Sequence, residues 1–202
     1  MQLSTRLFVV CAVLALTAMG ASAQNILMNG DFETGDLTSW EIFGASPSSS
    51  VTVQSPDNGP SAPGTHNAYL DNQAEALGLG IKQVTMPGSA SEGEVFYSFD
   101  LKLDSADVGG VLFVEIFAEQ SGVGIVGGSG LMGPFWPWNA WETTSSSFIA
   151  PAGTDFLTIQ FVATTGANVG SNCIAHVDNV DLHQSVSPVE ASTWGAVKAL
   201  YR

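Results

Sequence analysis

Basic residues are scarce in this chain of 202 residues. Five lysines and arginines stand against 19 aspartates and glutamates, which gives a formal net charge of −14 at pH 7. So acidic a surface repels the phosphates of nucleic acids and anionic lipid head groups. We therefore expect neither as a partner, whereas a neutral glycan or a divalent cation is compatible with the charge.

Long apolar runs are also missing, apart from one short stretch near the start. A basic Arg6 precedes an apolar run over residues 7–16, and the small-residue sequence Ala21-Ser22-Ala23 follows. This is the pattern of a secretion signal that is cleaved after residue 23. The run is shorter than the roughly 20 residues that span a bilayer. We therefore predict a signal peptide over 1–23, a secreted or cell-surface protein, and no membrane span in the mature chain.

Cysteine is rare, with two residues in the chain. Cys11 lies inside the predicted signal, so the mature chain would keep only Cys173. A lone cysteine cannot form an intramolecular disulfide. We expect Cys173 to be a buried, inert thiol, because it lies in a strand-like run.

Sequence motifs of catalysis are missing as well. The three histidines form no HExxH zinc motif, and there is no G-x-S-x-G nucleophile turn. Asp178 and Asp181 would point to opposite faces of a regular strand, which is wrong for two carboxylates that flank a glycosidic bond. We therefore predict a protein without enzymatic activity.

The hydrophobic pattern that is present has a period of two. Val95 to Leu103 alternates apolar and mixed residues, and Leu157 to Ala163 does the same. The stretch Val111 to Glu119 is apolar on both faces, so it is either central and covered on both sides, or its mixed face lines a binding cleft. Further strands are predicted near 26–33, 40–44, 50–54, 67–71, 77–85, 141–149 and 173–183, with turn-rich spacers at 55–64 and 121–130.

About ten short strands without helical periodicity predict an all-β sandwich or jelly roll over residues 24–184. Residues 185–202 read as a linker and a short C-terminal tail, in which Trp194, Val197 and Tyr201 recur at helical spacing. We expect this tail to form a helix that docks to export or surface-anchoring machinery. The alternative is that it packs on its own sandwich.

Several motifs carry a family likeness. The opening Asn29-Gly30-Asp31-Phe32-Glu33-x-Gly35, which closes on Trp40, resembles the start of carbohydrate-binding modules found beside bacterial cellulases and xylanases. Gly64 to Leu70 and Trp141 to Thr154 are similar to their middle strands, and Asp178-Asn179-Val180-Asp181-Leu182 is similar to their closing strand. The resemblance implies a galactose-binding-like, antiparallel jelly-roll β-sandwich.

The resemblance also implies a function, namely a secreted, non-catalytic protein that recognises a neutral glycan or polysaccharide. We expect no catalytic domain beside this one, however, whereas such modules usually accompany an enzyme. The alternative is therefore an extracellular structural protein, a surface-layer, matrix or filament subunit that uses the same fold.

Four residues are the predicted contacts to a glycan. Trp136 and Trp138 lie in a Pro/Gly-rich stretch, where an indole can be exposed for stacking on a sugar ring. The alternative is that both cap the sandwich core, and for Trp141 a core position is the favoured interpretation. Glu115 and Gln160 lie on the mixed faces of their strands and can contact sugar hydroxyls.

A calcium site is predicted where the first and last strands meet. Asp31 and Glu33 share a face of the predicted first strand, and a jelly roll can bring them near Asp178. The family likeness implies that Glu33 and Asp178 bind through their side chains and Asp31 through its carbonyl. Asp57 or Asp71 would add a further oxygen. The alternative is that these acids cap turns at the edge of the sandwich.

Overall fold

Eleven strands carry the described part of the chain. The computed structural model describes residues 24–185, and Asn25–Ser185 form one compact unit. The strands are β1 (Glu41–Phe43), β2 (Ser49–Gln54), β3 (Asn67–Asn72), β4 (Gly78–Val84), β5 (Gly93–Ser105), β6 (Val111–Gln120), β7 (Gly124–Gly128), β8 (Met132–Phe135), β9 (Glu142–Ala150), β10 (Phe156–Thr164) and β11 (Cys173–Gln184). The predicted signal peptide and C-terminal tail lie outside the described residues. Within residues 24–185, no helix has the length and hydropathy to cross a membrane.

The strands form two antiparallel sheets. Sheet 1 has the order β1-β4-β10-β6-β7, and β8 also pairs with β6. Sheet 2 has the order β2-β3-β11-β5-β9. The sheets pack face to face, and the apolar core fills the space between them. This is the predicted all-β sandwich.

The alternating strands bury the predicted face. Phe99 of β5 and Phe161 of β10 come from opposite sheets and are fully buried, with their rings edge to face at 5.4 Å between centroids. In β6, Leu112, Val114, Ile116 and Ala118 are fully buried, whereas Phe113, Glu115 and Phe117 are only partly buried. β6 lies between β10 on one side and β7 and β8 on the other, and its mixed face is not covered by another layer. The predicted alternative of cover on both sides is therefore wrong, and the binding cleft stays a prediction.

The opening segment runs beside the last strand without being a strand itself. Ile26 N–H donates to the Leu182 carbonyl and Val180 N–H donates to the Gly30 carbonyl, both at 2.8 Å. The strand predicted over 26–33 is wrong, because Asn29 and Phe32 adopt positive φ angles of 51° and 52° and turn the chain. Phe32 nevertheless enters the core, where it is fully buried.

The spacer predicted over 121–130 contains all of β7, which the sequence did not reveal. β7 has the sequence Gly-Ile-Val-Gly-Gly, and glycine is depleted in strands. Gly128 serves close packing here, because a Cβ there would lie 2.1 Å from the Ile116 carbonyl oxygen of β6. β8 then pairs with the first half of β6 and leads into the tryptophan-containing loop.

The contact between the opening segment and β11 is testable at Gly30. A Cβ there would lie 2.2 Å from the Val180 carbonyl oxygen, which is backbone and cannot turn away. We expect Gly30→Ala to lower the free energy of unfolding by about 2 kcal/mol. Met28, in the same segment, is 57% exposed, so Met28→Ala should change stability by less than about 0.5 kcal/mol. Equal urea midpoints for both variants and the wild type would contradict the docking.

The thiol of Cys173 provides a second test. Cys173 is free and fully buried, and desolvation raises its pKa to about 12. The thiolate is the reactive form, so a thiol reagent at mildly alkaline pH should leave the native protein unlabelled and label one thiol per mature chain in guanidinium chloride. Cys173→Ser should remove the label under both conditions. Fast labelling of the native wild type would show that the site opens.

Candidate functional site

Glu115 and Gln160 are neighbours on the outer face of sheet 1. They face each other in register across β6 and β10, and the Gln160 amide donates to the Glu115 carboxylate at 3.5 Å. Lys82 of β4 is opposite Gln160, and Glu41 of β1 is opposite Lys82 at 3.4 Å between the charged groups. These four residues, which we call the polar row, cross four strands of the sheet.

Aromatic side chains flank the polar row along β6. Phe113, Glu115 and Phe117 occupy alternate positions, so all three lie on the outer face. Both phenylalanines are partly exposed. The open face of β6 thus reads aromatic, acid, aromatic. It offers apolar surface on both sides of a hydrogen-bonding centre.

Trp136 and Trp138 form a second surface in the loop after β8. Their rings are stacked with centroids 6.1 Å apart and an interplanar angle of 27°, and each side chain is 47% exposed. Neither belongs to the apolar core, so the alternative that they cap it is wrong. Backbone bonds hold the loop in place, because Leu103 N–H donates to Pro137 and Asn139 N–H donates to Leu103, both at 2.8 Å.

The four predicted contact residues therefore form two groups. The loop with the tryptophans follows Phe135, which pairs with Leu112 near the start of β6. Glu115 lies three residues further along β6, about 10 Å at the rise of a strand. The two groups are therefore separate, and a ligand that reached both would have to be extended.

Trp141 was expected in the core, and this expectation is wrong. It precedes β9, whose inward positions include Phe148 and Ala150, so the alternation turns Trp141 outward. Its indole N–H donates to the Asp57 carboxylate at 3.0 Å, and the Lys102 ammonium lies 5.3 Å from its ring centroid. Trp141 therefore packs on the outer face of sheet 2.

Asp31 and Glu33 lie in the turns of the opening segment. The Asp31 carboxylate accepts from the Glu33 N–H at 3.4 Å, as a turn-capping residue does. One oxygen of Glu33 accepts from the N–H groups of Thr65 and His66, each at 2.7 Å. The bond from Thr65, then that from His66, holds the pKa of Glu33 below its usual value. Glu33 thus ties the opening segment to the start of β3.

Asp178 is the most perturbed of the three predicted metal ligands. It is 1% exposed, and it accepts from the N–H groups of Gly59 and Asn179 at 2.7 Å each. Desolvation, together with the charges of Asp100 and Glu33, raises the pKa of Asp178 to about 7 although these bonds lower it. The site thus crowds negative charge, and the Glu33 carboxylate is close enough to Asp178 to repel it.

A β-bulge sets the direction of these acids. The pairing of β11 with β5 shifts between Asp178 and Asp181, and Asn179 has a φ of 49°. Val180 still points into the core, so Asp178 and Asp181 both lie on the outer face of sheet 2. The prediction of opposite faces assumed a regular strand and is wrong. Asp181 contacts His183, while Asp178 is covered by the loop over residues 55–66.

Asp100 belongs to this cluster and was not singled out from the sequence. It is fully buried opposite Asp178, and it accepts from Ser61 N–H at 2.8 Å and from the Asn179 amide at 2.8 Å. Gly59 is required above it, since a Cβ there would lie 2.3 Å from an Asp100 oxygen. The sequence shows Asp100 only as an acid on the mixed face of its strand. Its cross-strand partner Asp178 is 78 residues away, so the sequence does not reveal the pair.

The charge of this cluster suits a hard cation, since Glu33 and Asp178 repel each other and the Asp31 carbonyl lies in the same segment. Over residues 24–185, however, no three Asp, Glu, His or Cys side chains converge on one point as metal ligands would. Asp57 is engaged elsewhere. Burial raises its pKa, but bonds from Lys102 and Trp141 outweigh this and leave the pKa lowered. Asp71 binds the Gln73 amide at 2.9 Å.

No protein-family model and no curated protein matches this chain. Solved structures do match. The enzymatically active domain of bacteriophage CBA120 tailspike protein 4 aligns at 15% identity over 79% of this chain and 21% of that chain, with a TM-score of 0.62. This chain thus spans about a fifth of the tailspike chain.

Two similar structures are binding modules. TmCBM61, solved with β-1,4-galactotriose, aligns at 14% identity over 81% of this chain and all of that chain, with a TM-score of 0.54. The CBM22-1 xylan-binding domain of Xyn10C from Paenibacillus barcinonensis aligns at 13% identity over 80% and 95%, with a TM-score of 0.55. A cyclase from Fischerella sp. TAU shares the fold at 19% identity. At these identities the likeness shows the fold alone, and this chain has the jelly-roll β-sandwich that these structures share.

Proposed function

We propose that this protein is a secreted, non-catalytic binder of a neutral glycan chain, and that the outer face of sheet 1 is its binding surface. One observation carries the proposal. On the open face of β6, Glu115 stands between Phe113 and Phe117, and Gln160 stands directly opposite Glu115. A sugar ring presents C–H groups to aromatic rings and hydroxyls to carboxylates and amides.

The charge of this face supports a neutral ligand. Lys82 is the one basic side chain of the polar row, and it forms an ion pair with Glu41. The neighbours in the fold include a module solved with β-1,4-galactotriose and a xylan-binding domain. Both names point to neutral polysaccharides, which is the class of ligand proposed here.

The spacing of carboxylates supports binding without hydrolysis. A glycosidase needs two carboxyl groups about 5 to 9.5 Å apart across the scissile bond. Glu115 and Glu41 are separated by three strand steps, about 14 Å. Glu119 lies four residues from Glu115 on the same strand, about 13 Å away. Neither acid is placed to act with Glu115 on one bond.

The proposal is tested by affinity electrophoresis in gels that contain xylan, β-1,4-galactan or a mixed-linkage glucan. We expect retardation by at least one of them, and a loss of about tenfold in affinity for Glu115→Ala/Gln160→Ala, because a hydrogen bond to a charged group contributes about 1.5 kcal/mol or more. The Trp136→Ala/Trp138→Ala variant should lose a smaller factor, about fivefold, since it acts at the end of the ligand. Met86 is 74% exposed outside both surfaces, so Met86→Ala is the matched control.

Three outcomes are informative. Equal retardation of all variants would remove both surfaces from the site. A loss confined to the tryptophan variant would move the site to the loop after β8. Mobility that no polysaccharide changes would contradict glycan binding of these classes.

We further propose that Ca²⁺ stabilises the junction of the opening segment with β11. Glu33 and Asp178 would bind through carboxylates and Asp31 through its carbonyl, and the cation would relieve the repulsion around Asp178. A metal that binds only the folded state adds about 2.7 kcal/mol at a hundredfold excess over its dissociation constant. We therefore expect millimolar calcium to raise the melting temperature by several degrees and a chelator to reverse this.

Glu33→Gln should lose the response to calcium while it keeps the shape of the side chain. Glu92 is an exposed acid outside the cluster, and Glu92→Gln should respond like the wild type. A melting curve that is indifferent to calcium and to chelator would leave the acids as turn caps, the alternative interpretation. Isothermal titration of the wild type with calcium checks the site without reference to stability.

A further inference from the structure

The outer face of sheet 2 carries a slot whose floor is made of serines. We propose that this serine slot, formed by Phe96, Ser98, Ser145, Ser147 and His183, is a second binding site for a single neutral sugar unit. Its volume is about 450 Å³. This lies within the range of about 300–1,000 Å³ that is usual for small-molecule sites.

The slot arises from the register of three strands. Ser98 of β5 is opposite Ser145 of β9, and Phe96 is opposite Ser147. On the other side of β5, Asp181 and His183 of β11 are opposite Ser98 and Phe96. The serine side chains are small and the neighbouring aromatic rings extend further from the sheet, so a depression forms in an otherwise regular sheet face. The bulge in β11 is what turns Asp181 and His183 to this face.

One wall of the slot is aromatic and fixed. The rings of Phe96 and His183 are stacked at 5.4 Å between centroids with an interplanar angle of 16°. His183 is hydrogen-bonded to the Asp181 carboxylate through Nδ1, which restrains its ring. In the sheet register, Phe96 lies between His183 of β11 and Ser147 of β9. A pyranose can stack its C–H face on such a ring.

The floor offers hydrogen-bonding groups that are not already used. Over residues 24–185, the hydroxyls of Ser98 and Ser145 make no hydrogen bond to protein, while Ser147 donates to the Glu94 carboxylate at 2.7 Å. A hydroxyl both donates and accepts, as sugar hydroxyls do. No lysine or arginine lines the slot among the described residues, and acids stand at its rim, so an anionic ligand is disfavoured.

The slot and the polar row face away from each other, because they lie on the outer faces of the two sheets. A protein with both sites can hold two glycan chains at once, or two parts of a branched one. The inference goes beyond the proposed function, and it stands on separate residues. Two weak sites on one protein gain avidity on a polymer without new contacts.

The test is a set of ¹H–¹⁵N NMR titrations of the mature chain with galactose, xylose and glucose. We expect at least one sugar to shift the amides of Phe96, Ser98 and Ser145 to Ser147. The Glu115→Ala/Gln160→Ala variant should show the same shifts, since the polar row is on the other sheet. Phe96→Ala should weaken the binding by about fivefold to tenfold, which is the contribution of one stacked aromatic ring.

Ser145→Val provides a second variant that fits a strand and fills the slot without removing the aromatic wall. It should abolish the shifts at the slot. In polysaccharide gels it should not change the retardation that depends on Glu115 and Gln160. Shifts that persist in both slot variants, or no shifts at the slot with any of the three sugars, would overturn the proposal. Shifts that disappear in the polar-row variant as well would assign the binding to sheet 1 alone.

Discussion

The irregularity in β11 between Asp178 and Asp181 is the constraint on which the rest of the structure depends. A regular strand would alternate through these positions, whereas the bulge at Asn179 adds one residue and changes the outward set. Val180 can then stay in the core and still use its backbone to hold Gly30. The opening segment of the chain, 150 residues away in sequence, is thereby fixed beside the last strand.

The same bulge places a carboxylate under a loop. Asp178 and Asp100 lie opposite each other, and the Asn179 amide donates to both. Two buried carboxylates repel, so their stability depends on the donors around them. Gly59 and Ser61 supply backbone N–H groups from the loop over residues 55–66. The loop is therefore held by hydrogen bonds from its N–H groups to two carboxylates, whose negative charge these dipoles only partly offset. A bound cation would offset the same charge.

Much of the sandwich was predictable because an inward-facing strand position leaves a direct mark on the sequence. The alternations in β5 and β10 predicted both strands and their buried faces, whereas the two-sided apolar pattern of β6 left open whether its mixed face is covered, which the structure shows it is not. The elements that the sequence analysis missed are determined by features other than hydrophobic alternation. Glycine hides β7 because it packs by its lack of a side chain, and positive φ angles at Asn29 and Phe32 bend a segment whose composition resembles a strand.

The candidate site was predictable only where one strand determines it. Glu115 and Gln160 were identified from the mixed faces of their own strands, and the structure then placed them opposite each other. The exposure of Trp136 and Trp138 followed from their proline-rich loop. Asp100 and the face of Asp181 could not be found in this way, because cross-strand partners and a bulge determine them. Trp141 was assigned to the core although its alternation with Phe148 turns it outward.

Inward-facing and outward-facing strand positions carry different information, which has a consequence for function. Inward-facing residues determine the jelly roll. The fold is therefore kept although the sequence is only 13–15% identical to modules and an enzyme domain of the same fold. Outward positions are not needed for the core, so they can differ between the two sheets of one protein. Here sheet 1 presents aromatic residues around an acid and an amide, whereas sheet 2 presents serines beside a stacked ring pair. One fold thus supports two chemically different surfaces on opposite sides, and the chemistry of each is determined by residues that the other does not share.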